Sequence, residues 1–223
     1  MTQPTDTEGE LRQALLATAQ RMQATALSAA ATGNVSVRCG EGVLITPSGI
    51  DYAEMNAADV ILLDLQGLVV DNNARRPSSE WRIHCDIYRA RQEFGAIVHS
   101  HSAHATAVAC QRRAIPPFHY MVTRAGGHEV PCADYATFGT QALSEQVLAT
   151  MRGYKACLLA NHGQLAAGPD LPAALRLAWE VEELARQYCL TIQLGEPVLL
   201  GAEELDRVAE RFRDYGQQPT AGK

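Results

Sequence analysis

The sequence predicts an α/β protein of three layers, in which helices cover both faces of a central mixed, largely antiparallel sheet. Short apolar segments of strand length alternate irregularly with helical segments of very unequal length. Several strand segments are separated by only a few turn residues, which is the spacing of antiparallel hairpins. The strict alternation of strand and helix that is typical of a parallel sheet is not present.

The first part of the chain begins with a helix and continues with short strands. Apolar residues recur at helical spacing from residue 8 to about 30, which predicts an amphipathic helix. Four β segments follow, as the pairs 35–38 with 43–46 and 60–64 with 68–70. A glycine-containing turn connects the members of each pair, so we expect two hairpins.

The rest of the chain alternates helices and strands. Ser78 or Ser79 is a strong N-cap for a helix that we expect to end near Arg91. Pro172 in the first turn and Gly195 after the last residue define the longest helix, at 171–194. The other predicted elements are strands at 95–101, 156–160 and 164–167, and helices at 103–112, 138–151 and 203–215.

Length and composition limit the class of protein. At 223 residues the chain is long enough to bury a full core, and we expect a single domain over 1–223 with its core at about 8–216. A net charge of −6 argues against a nucleic-acid partner. No apolar run approaches the ~20 residues of a membrane span, and the first residues lack a signal-peptide pattern, so we expect a cytoplasmic protein with no membrane partner. The six cysteines form no CxxC pair and are expected to be buried thiols.

Three histidines and one glutamate predict a metal site. His99 and His101 lie two positions apart at the end of a predicted strand, so their side chains point the same way. His162 follows another apolar segment, and Glu80 lies two or three residues into a predicted helix. Imidazoles and a carboxylate form a zinc-type set, in which the carboxylate can also act as a base. Taken singly, the HxH spacing also arises by chance, His162 also suits a turn, and Glu80 also suits an ordinary helix start.

Three segments offer backbone N–H groups and hydroxyls to an anion. They are Gly33-Asn34, Ser48-Gly49 and Ser78-Ser79. Glycine allows close approach of a ligand, and the positive end of a helix favours phosphate. Each segment also suits an ordinary helix end, turn or cap. Together they favour a phosphorylated substrate near the metal.

Eight motifs, in order along the chain, resemble those of the class II aldolase/adducin family. They are GNVSVR at 33–38, LITPSG at 44–49, PSSEWR at 77–82, VHSH at 98–101, IPPFHYM at 115–121, AGG at 125–127, YATFGT at 135–140 and NHG at 161–163. The resemblance extends from about residue 8 to 216, and within the family it is greatest to the L-fuculose-1-phosphate aldolases. It implies that family's fold and a homotetramer with active sites shared between subunits.

The resemblance assigns roles to the candidate residues. It implies that His99, His101 and His162 bind one Zn²⁺ per subunit, and that Glu80 is the fourth ligand and, once substrate displaces it, the general base. It implies a phosphate site made of Gly33, Asn34, Ser48, Gly49, Ser78 and Ser79.

On the aldehyde side, the resemblance implies that Tyr120 of a neighbouring subunit transfers a proton at the aldehyde oxygen, and that Phe138 and Tyr215 shape the pocket. The implied reaction is the reversible cleavage of a deoxyketose 1-phosphate into dihydroxyacetone phosphate and an aldehyde. Such a reaction develops charge on an enediolate, which a metal stabilises, and it needs a base and an acid.

Departures from the family pattern concern the aldehyde half of the substrate. Residues 28–32 lack the glycine-containing segment of the fuculose enzymes, and Thr123, Arg124 and His128 replace smaller or neutral residues. L-fuculose 1-phosphate, 5-deoxyribulose 1-phosphate and 5-methylthioribulose 1-phosphate are therefore all candidate substrates. His104 is not a ligand by resemblance, and we expect it to support the site or cap a helix.

Two other functions are alternatives to the aldolase. One is an epimerase, dehydratase or decarboxylase of a sugar phosphate on the same fold; the related epimerases use an Asp near 119–125, and this chain has no Asp from Ile87 to Ala133. The other is a non-catalytic, adducin-like interaction domain. Such domains lose metal ligands, whereas the ligand set here is complete.

Overall fold

A computed structural model of the chain contains one seven-stranded sheet and describes residues 7–25, 27–29 and 32–214. The strands are β1 Asn34–Cys39, β2 Gly42–Ile45, β3 Ile61–Asp64, β4 Ala96–Ser100, β5 Cys132–Ala133, β6 Ala156–Leu159 and β7 Gly163–Gly168. Their order is β3-β2-β1-β4-β7-β6-β5, and only the pair β5–β6 is parallel. The predicted mixed, largely antiparallel sheet is confirmed.

Helices cover both faces of this sheet. They are α1 Glu8–Ala24, α2 Trp81–Ala90, α3 Ala103–Cys110, α4 Gln141–Thr150, α5 Leu171–Leu194 and α6 Ala202–Asp214. Side chains alternate along β4, so that Ala96 and Val98 pack with α1, α3 and α5 while Ile97 packs with α2 and α4. The two apolar clusters on either side of the sheet account for the three predicted layers.

Local signals explain where the helices begin. Thr7 and Glu10 form a reciprocal capping box at the start of α1. Asp170 accepts a hydrogen bond from the N–H of Ala173, and Pro172 occupies the first turn of α5. The predicted bounds of this longest helix, 171–194, are confirmed.

The structure differs from the predicted elements in several places. α1 ends at Ala24, not near residue 30, because the chain turns at Thr25 to bury Leu27 in the core. The segment 68–70 pairs with β3 in the predicted antiparallel sense, through the Val69–Leu63 bridge and the hydrogen bonds Asp64 N–H to Leu68 C=O and Val70 N–H to Leu62 C=O, but it is too short to form a regular strand. The two-residue strand β5 was not predicted, since it is too short to show periodicity.

The prediction that all six cysteines are buried is correct for only two of them. Cys85 and Cys157 are buried, Cys110 is exposed, and the other three are partly buried. Within the part of the chain that the structure describes, no helix has the length and apolar character needed to cross a membrane.

Candidate metal centre

The four predicted ligands meet where β4 ends and β7 begins. These strands are antiparallel neighbours, with Ser100 opposite Gln164, so the residues just beyond them, His101 and His162, come close together. His99 lies on β4, and Glu80 immediately precedes α2. One ligand atom from each of the four side chains lies within 4.8 Å of the other three.

The three imidazole rings surround a common point. Their centroids are 4.8 to 4.9 Å apart, and the rings meet edge to face. The Nε2 atoms of His99 and His101 are 3.0 Å apart. Glu80 Oε2 lies 3.0 Å from His99 Nε2, and Glu80 Oε1 lies 3.3 Å from His162 Nε2. The site therefore presents three nitrogen donors and one carboxylate.

Two observations indicate that these donors fit a cation. His99 Nδ1 lies 2.8 Å from the carbonyl oxygen of Gln164, which can only accept, so Nδ1 donates and Nε2 is left to face the other ligands. Glu80 Oε1 is buried without a hydrogen-bond partner, and an ionised oxygen in that position is costly unless a cation balances it. The residues therefore fit a bound metal ion.

The protonation states also suit metal binding. Burial lowers the pKa of His101 and His162 to about 4, and positive charge on His99 acts in the same direction. Burial lowers the pKa of His99 too, but the Glu80 carboxylate outweighs that effect and the net shift is upward. Burial raises the pKa of Glu80, but the surrounding imidazoles outweigh it, so this pKa lies well below its usual range. At neutral pH Glu80 is thus ionised.

Three of the four candidate metal ligands line a cleft of about 370 Å³. Glu80, His101 and His162 line it together with Phe138. The predicted phosphate residues Gly33, Asn34, Ser48, Gly49, Ser78 and Ser79 line the same cleft. Segments that are far apart in the sequence thus place hydroxyl groups and glycines beside the metal ligands.

Gly33 allows a close approach of two of these segments. Its φ of 78° is rarely adopted by other residues, and a Cβ atom there would lie 2.5 Å from the carbonyl oxygen of His99. The next residue, Asn34, pairs with His99 across the sheet. The Asn34 side chain then reaches Glu80, with Nδ2 3.1 Å from Glu80 Oε2.

α2 begins later than the sequence predicted. Its first residue is Trp81, and Glu80 is the N-cap residue rather than a residue two or three positions inside the helix. The Ser78 hydroxyl accepts a hydrogen bond from the Glu80 N–H at 3.3 Å, while the Ser78 N–H donates to the Thr46 carbonyl. These bonds keep Ser78 and Ser79 next to the turn that contains Ser48.

The aldehyde-side candidates are distributed unevenly. Phe138 is 64% exposed at the cleft, whereas Tyr120 does not line it. Tyr120 begins the 3₁₀ segment Tyr120–Ala125 and is half-exposed, with its ring stacked 6.1 Å from that of Phe212 in α6. Tyr215 lies outside the described residues.

Arg124 and His128, two of the residues that depart from the family pattern, contact α5 and α6. Arg124 pairs with Glu180 at 3.1 Å, and His128 lies 2.8 Å from Asp206. His104 is not a metal ligand: its backbone N–H and its ring both bind the Glu182 carboxylate, which thereby caps α3. None of Arg124, His128 and His104 lines the cleft.

Three buried polar residues near Glu80 were not predicted from the sequence. His84 Nε2 lies 2.5 Å from Asn34 Oδ1, His84 Nδ1 lies 2.6 Å from Ser36 Oγ, and Ser36 Oγ lies 2.9 Å from the Tyr88 hydroxyl. A sequence signal was available for two of them, His84 and Tyr88. Glu80, His84 and Tyr88 recur at intervals of four, which places them on one side of a helix.

Known proteins are similar to this chain in sequence and in fold. The class II aldolase and adducin N-terminal domain family matches residues 13–189. A 5-methylthioribulose-1-phosphate/5-deoxyribulose-1-phosphate aldolase of Rhodospirillum rubrum is 48% identical, over 92% of each chain. The L-fuculose phosphate aldolase of Escherichia coli K12 is 42% identical, over 93% of this chain and 96% of the relative. The solved structure of an L-fuculose 1-phosphate aldolase has a TM-score of 0.88 at 40% identity, over 91% of this chain and 96% of that one.

Proposed function

The chain belongs to the class II aldolase and adducin N-terminal domain family and is an aldolase, and from this premise we propose that it uses a zinc ion to cleave a deoxyketose 1-phosphate reversibly into dihydroxyacetone phosphate and an aldehyde. One observation carries the proposal. The ligand atoms of Glu80 and three histidines lie within 4.8 Å of one another beside a cleft lined by serine and glycine residues.

Zinc is the metal that the donor set favours. Imidazole nitrogens and carboxylate oxygens are common zinc ligands, and catalytic zinc sites keep one coordination position for water or substrate. His99, His101, His162 and Glu80 would hold one ion per subunit. When bound, the ion would supply Lewis-acid stabilisation of negative charge on the substrate oxygens.

The phosphate group would be bound by neutral donors. Among the described residues that line the cleft there is no lysine or arginine, so hydroxyls, backbone N–H groups and the positive end of α2 would carry the interaction. We assign this role to Gly33, Asn34, Ser48, Gly49, Ser78 and Ser79.

The proton transfers would use one residue of each of two subunits. In cleavage Glu80 would give a proton to the enediolate carbon once the aldehyde has left, and in the reverse direction it would remove that proton from the carbon next to the ketone, since its carboxylate faces the cleft and its Oε1 has no protein donor. Tyr120 of a neighbouring subunit would exchange the proton at the aldehyde oxygen. The exposure of Tyr120 and its position outside its own cleft support this assignment.

The assembly and the extent of the domain are part of the proposal. A shared site requires an oligomer, and we propose a homotetramer in the cytoplasm. The single sheet, whose strands extend from Asn34 to Gly168, supports one domain over about 8–216. Phe138 and Tyr215 would shape the aldehyde pocket, with Phe138 already lining the cleft.

The candidate substrates share one half and differ in the other. The relatives of 48% and 42% identity are named for 5-methylthioribulose or 5-deoxyribulose 1-phosphate and for fuculose phosphate, respectively. All three sugars would release dihydroxyacetone phosphate, so the chemistry at the metal is common to them. We therefore propose the class, a deoxyketose 1-phosphate with an apolar terminal carbon.

The test is release of dihydroxyacetone phosphate from these three sugar phosphates by zinc-loaded protein. We expect turnover of at least one sugar, and loss of turnover in His101→Ala. Zinc-loaded protein that is folded but releases dihydroxyacetone phosphate from none of the three would contradict the proposal. A product that keeps all the substrate carbons would instead support the epimerase or dehydratase alternative.

A further inference from the structure

A row of buried polar side chains connects Glu80 to the interior of the protein. Asn34 contacts Glu80, His84 contacts Asn34, Ser36 contacts His84, and Tyr88 contacts Ser36. His84, Ser36 and Tyr88 are fully buried, and none of the three lines the cleft. We call Asn34, His84, Ser36 and Tyr88 the polar row.

The donor and the acceptor of each hydrogen bond in the polar row can be assigned, starting from Glu80. An ionised Glu80 can only accept, so Asn34 presents its Nδ2 group to Glu80 and its Oδ1 to His84. Burial lowers the pKa of His84 to about 3, so the ring is neutral and carries a single N–H, which must lie on Nε2. His84 Nδ1 is then an acceptor for the Ser36 hydroxyl. Among the described residues the Tyr88 hydroxyl contacts only Ser36 Oγ, so Tyr88 donates to Ser36 and the Ser36 proton is left for His84.

The opposite tautomer of His84 would reverse the bonds nearest Glu80. With the proton on Nδ1, His84 Nε2 would accept from the amide group of Asn34, and Asn34 would turn its carbonyl oxygen toward Glu80. Two acceptor oxygens would then face each other across the 3.1 Å that now separates Asn34 from Glu80. Such a contact is unfavourable, and more so in a buried site where no water screens it.

We propose that His84, held in one tautomer by Ser36 and Tyr88, positions the Glu80 carboxylate through Asn34. This inference rests on the proposed function, in which Glu80 is ligand and base. The hydrogen bond from Asn34 lowers the basicity of Oε2, whereas Oε1 has no protein donor. Oε1 is then the oxygen that accepts the substrate proton, and the polar row determines which of the two oxygens it is.

The test compares variants at His84 and Ser36 with a control on the same helix. His84→Leu removes the donor to Asn34, and Ser36→Ala releases the tautomer of His84. His84→Gln restores a side-chain N–H to that region of the site. Cys85→Ala is the control, because Cys85 is equally buried on α2 but contacts the carbonyl of Asp64 and not the polar row.

Two readouts distinguish positioning from general damage. The first readout is the pair of values kcat and KM, determined separately for dihydroxyacetone phosphate release. The second is the visible absorption spectrum of Co²⁺-loaded protein, with Glu80→Gln as the reference for an altered carboxylate ligand. We expect His84→Leu and Ser36→Ala to lower kcat by about 10- to 100-fold with little change in KM, as for other residues that orient metal ligands. We expect their Co²⁺ spectra to shift toward that of Glu80→Gln, and His84→Gln and Cys85→Ala to resemble wild type.

The inference is overturned if folded Ser36→Ala and His84→Leu keep the wild-type kcat and Co²⁺ spectrum. It is also overturned if folded His84→Gln is as impaired as His84→Leu. Should His84→Leu fail to fold, Ser36→Ala alone decides by the same two measurements. Wild-type protein that binds Co²⁺ but cleaves no sugar phosphate would refute the proposed function, and the spectra would still decide whether the polar row orients Glu80.

Discussion

Substitution of Gly33 by alanine should destabilise the protein and disturb the metal site together. At φ 78° an alanine costs about 1–2 kcal/mol more than glycine. Its Cβ would also lie 2.5 Å from the carbonyl oxygen of His99 on the adjacent strand, and overlap of this kind in a packed region costs roughly 1–3 kcal/mol. The expected loss of stability is therefore about 2–5 kcal/mol, from the two costs added.

Gly40 provides a matched control for the conformational part of that cost. Its φ is 54°, but a Cβ atom there would meet nothing within 4 Å. Gly40→Ala should therefore lose only about 1–2 kcal/mol. Both glycines have positive φ, but only an alanine at position 33 would overlap His99. The difference between the two losses of stability therefore measures the steric effect on the strand that carries His99.

The assay is thermal unfolding of metal-free protein, followed by zinc titration. For a chain of this length 1 kcal/mol corresponds to about 2–4 °C in Tm, so Gly33→Ala should unfold roughly 4–20 °C below wild type and Gly40→Ala roughly 2–8 °C below it. Zinc affinity should fall in Gly33→Ala alone. Equal Tm losses in the two variants, or undiminished zinc affinity in Gly33→Ala, would refute this reasoning.

Four further outcomes follow from the metal site and the shared active site. His101→Ala and His162→Ala should each purify with far less than one zinc per subunit; full zinc and normal turnover in either would remove that residue from the site. Glu80→Gln should retain zinc but lose about 10²-fold or more in turnover. If this variant still exchanges the C3 proton of dihydroxyacetone phosphate with solvent deuterium at the wild-type rate, another residue is the base. Mixed oligomers of inactive Tyr120→Phe and inactive His101→Ala should regain activity, and mixed tetramers seen by native mass spectrometry without such a gain would exclude a shared site. Metal-free protein should lose stability as the pH falls from about 6.5 to about 4, because unfolded His101 and His162 bind protons there that the folded forms do not; a flat Tm over this range would contradict the lowered pKa values.

Local patterns allowed much of the fold to be predicted. Periodicity, Pro172 and Gly195 were enough to place α5 at Leu171–Leu194, because helix ends depend on nearby residues. The predicted end of α1 was wrong, because the burial of Leu27 depends on contacts outside the helix. The strand β5 was missed because two residues carry no periodic signal.

The sequence by itself determined which residues are able to bind a metal. In an extended segment, which the apolar residues before His99 predict, the two-residue spacing of His99 and His101 places their side chains on the same side. The roles of the remaining candidates came from resemblance to known motifs, and their joint presence beside one cleft required the folded chain.

Only the tertiary structure decided what holds Glu80 in place. Asn34 lies 46 residues from Glu80 and 50 residues from His84, and the pairing of Asn34 with His99 across β1 and β4 brings these side chains together. Sheet register is set by packing over the whole core, and a shift of one residue would turn Asn34 and Ser36 to the opposite face. Hydrogen bonds between residues this far apart leave no local pattern, because their geometry exists only after the strands have paired.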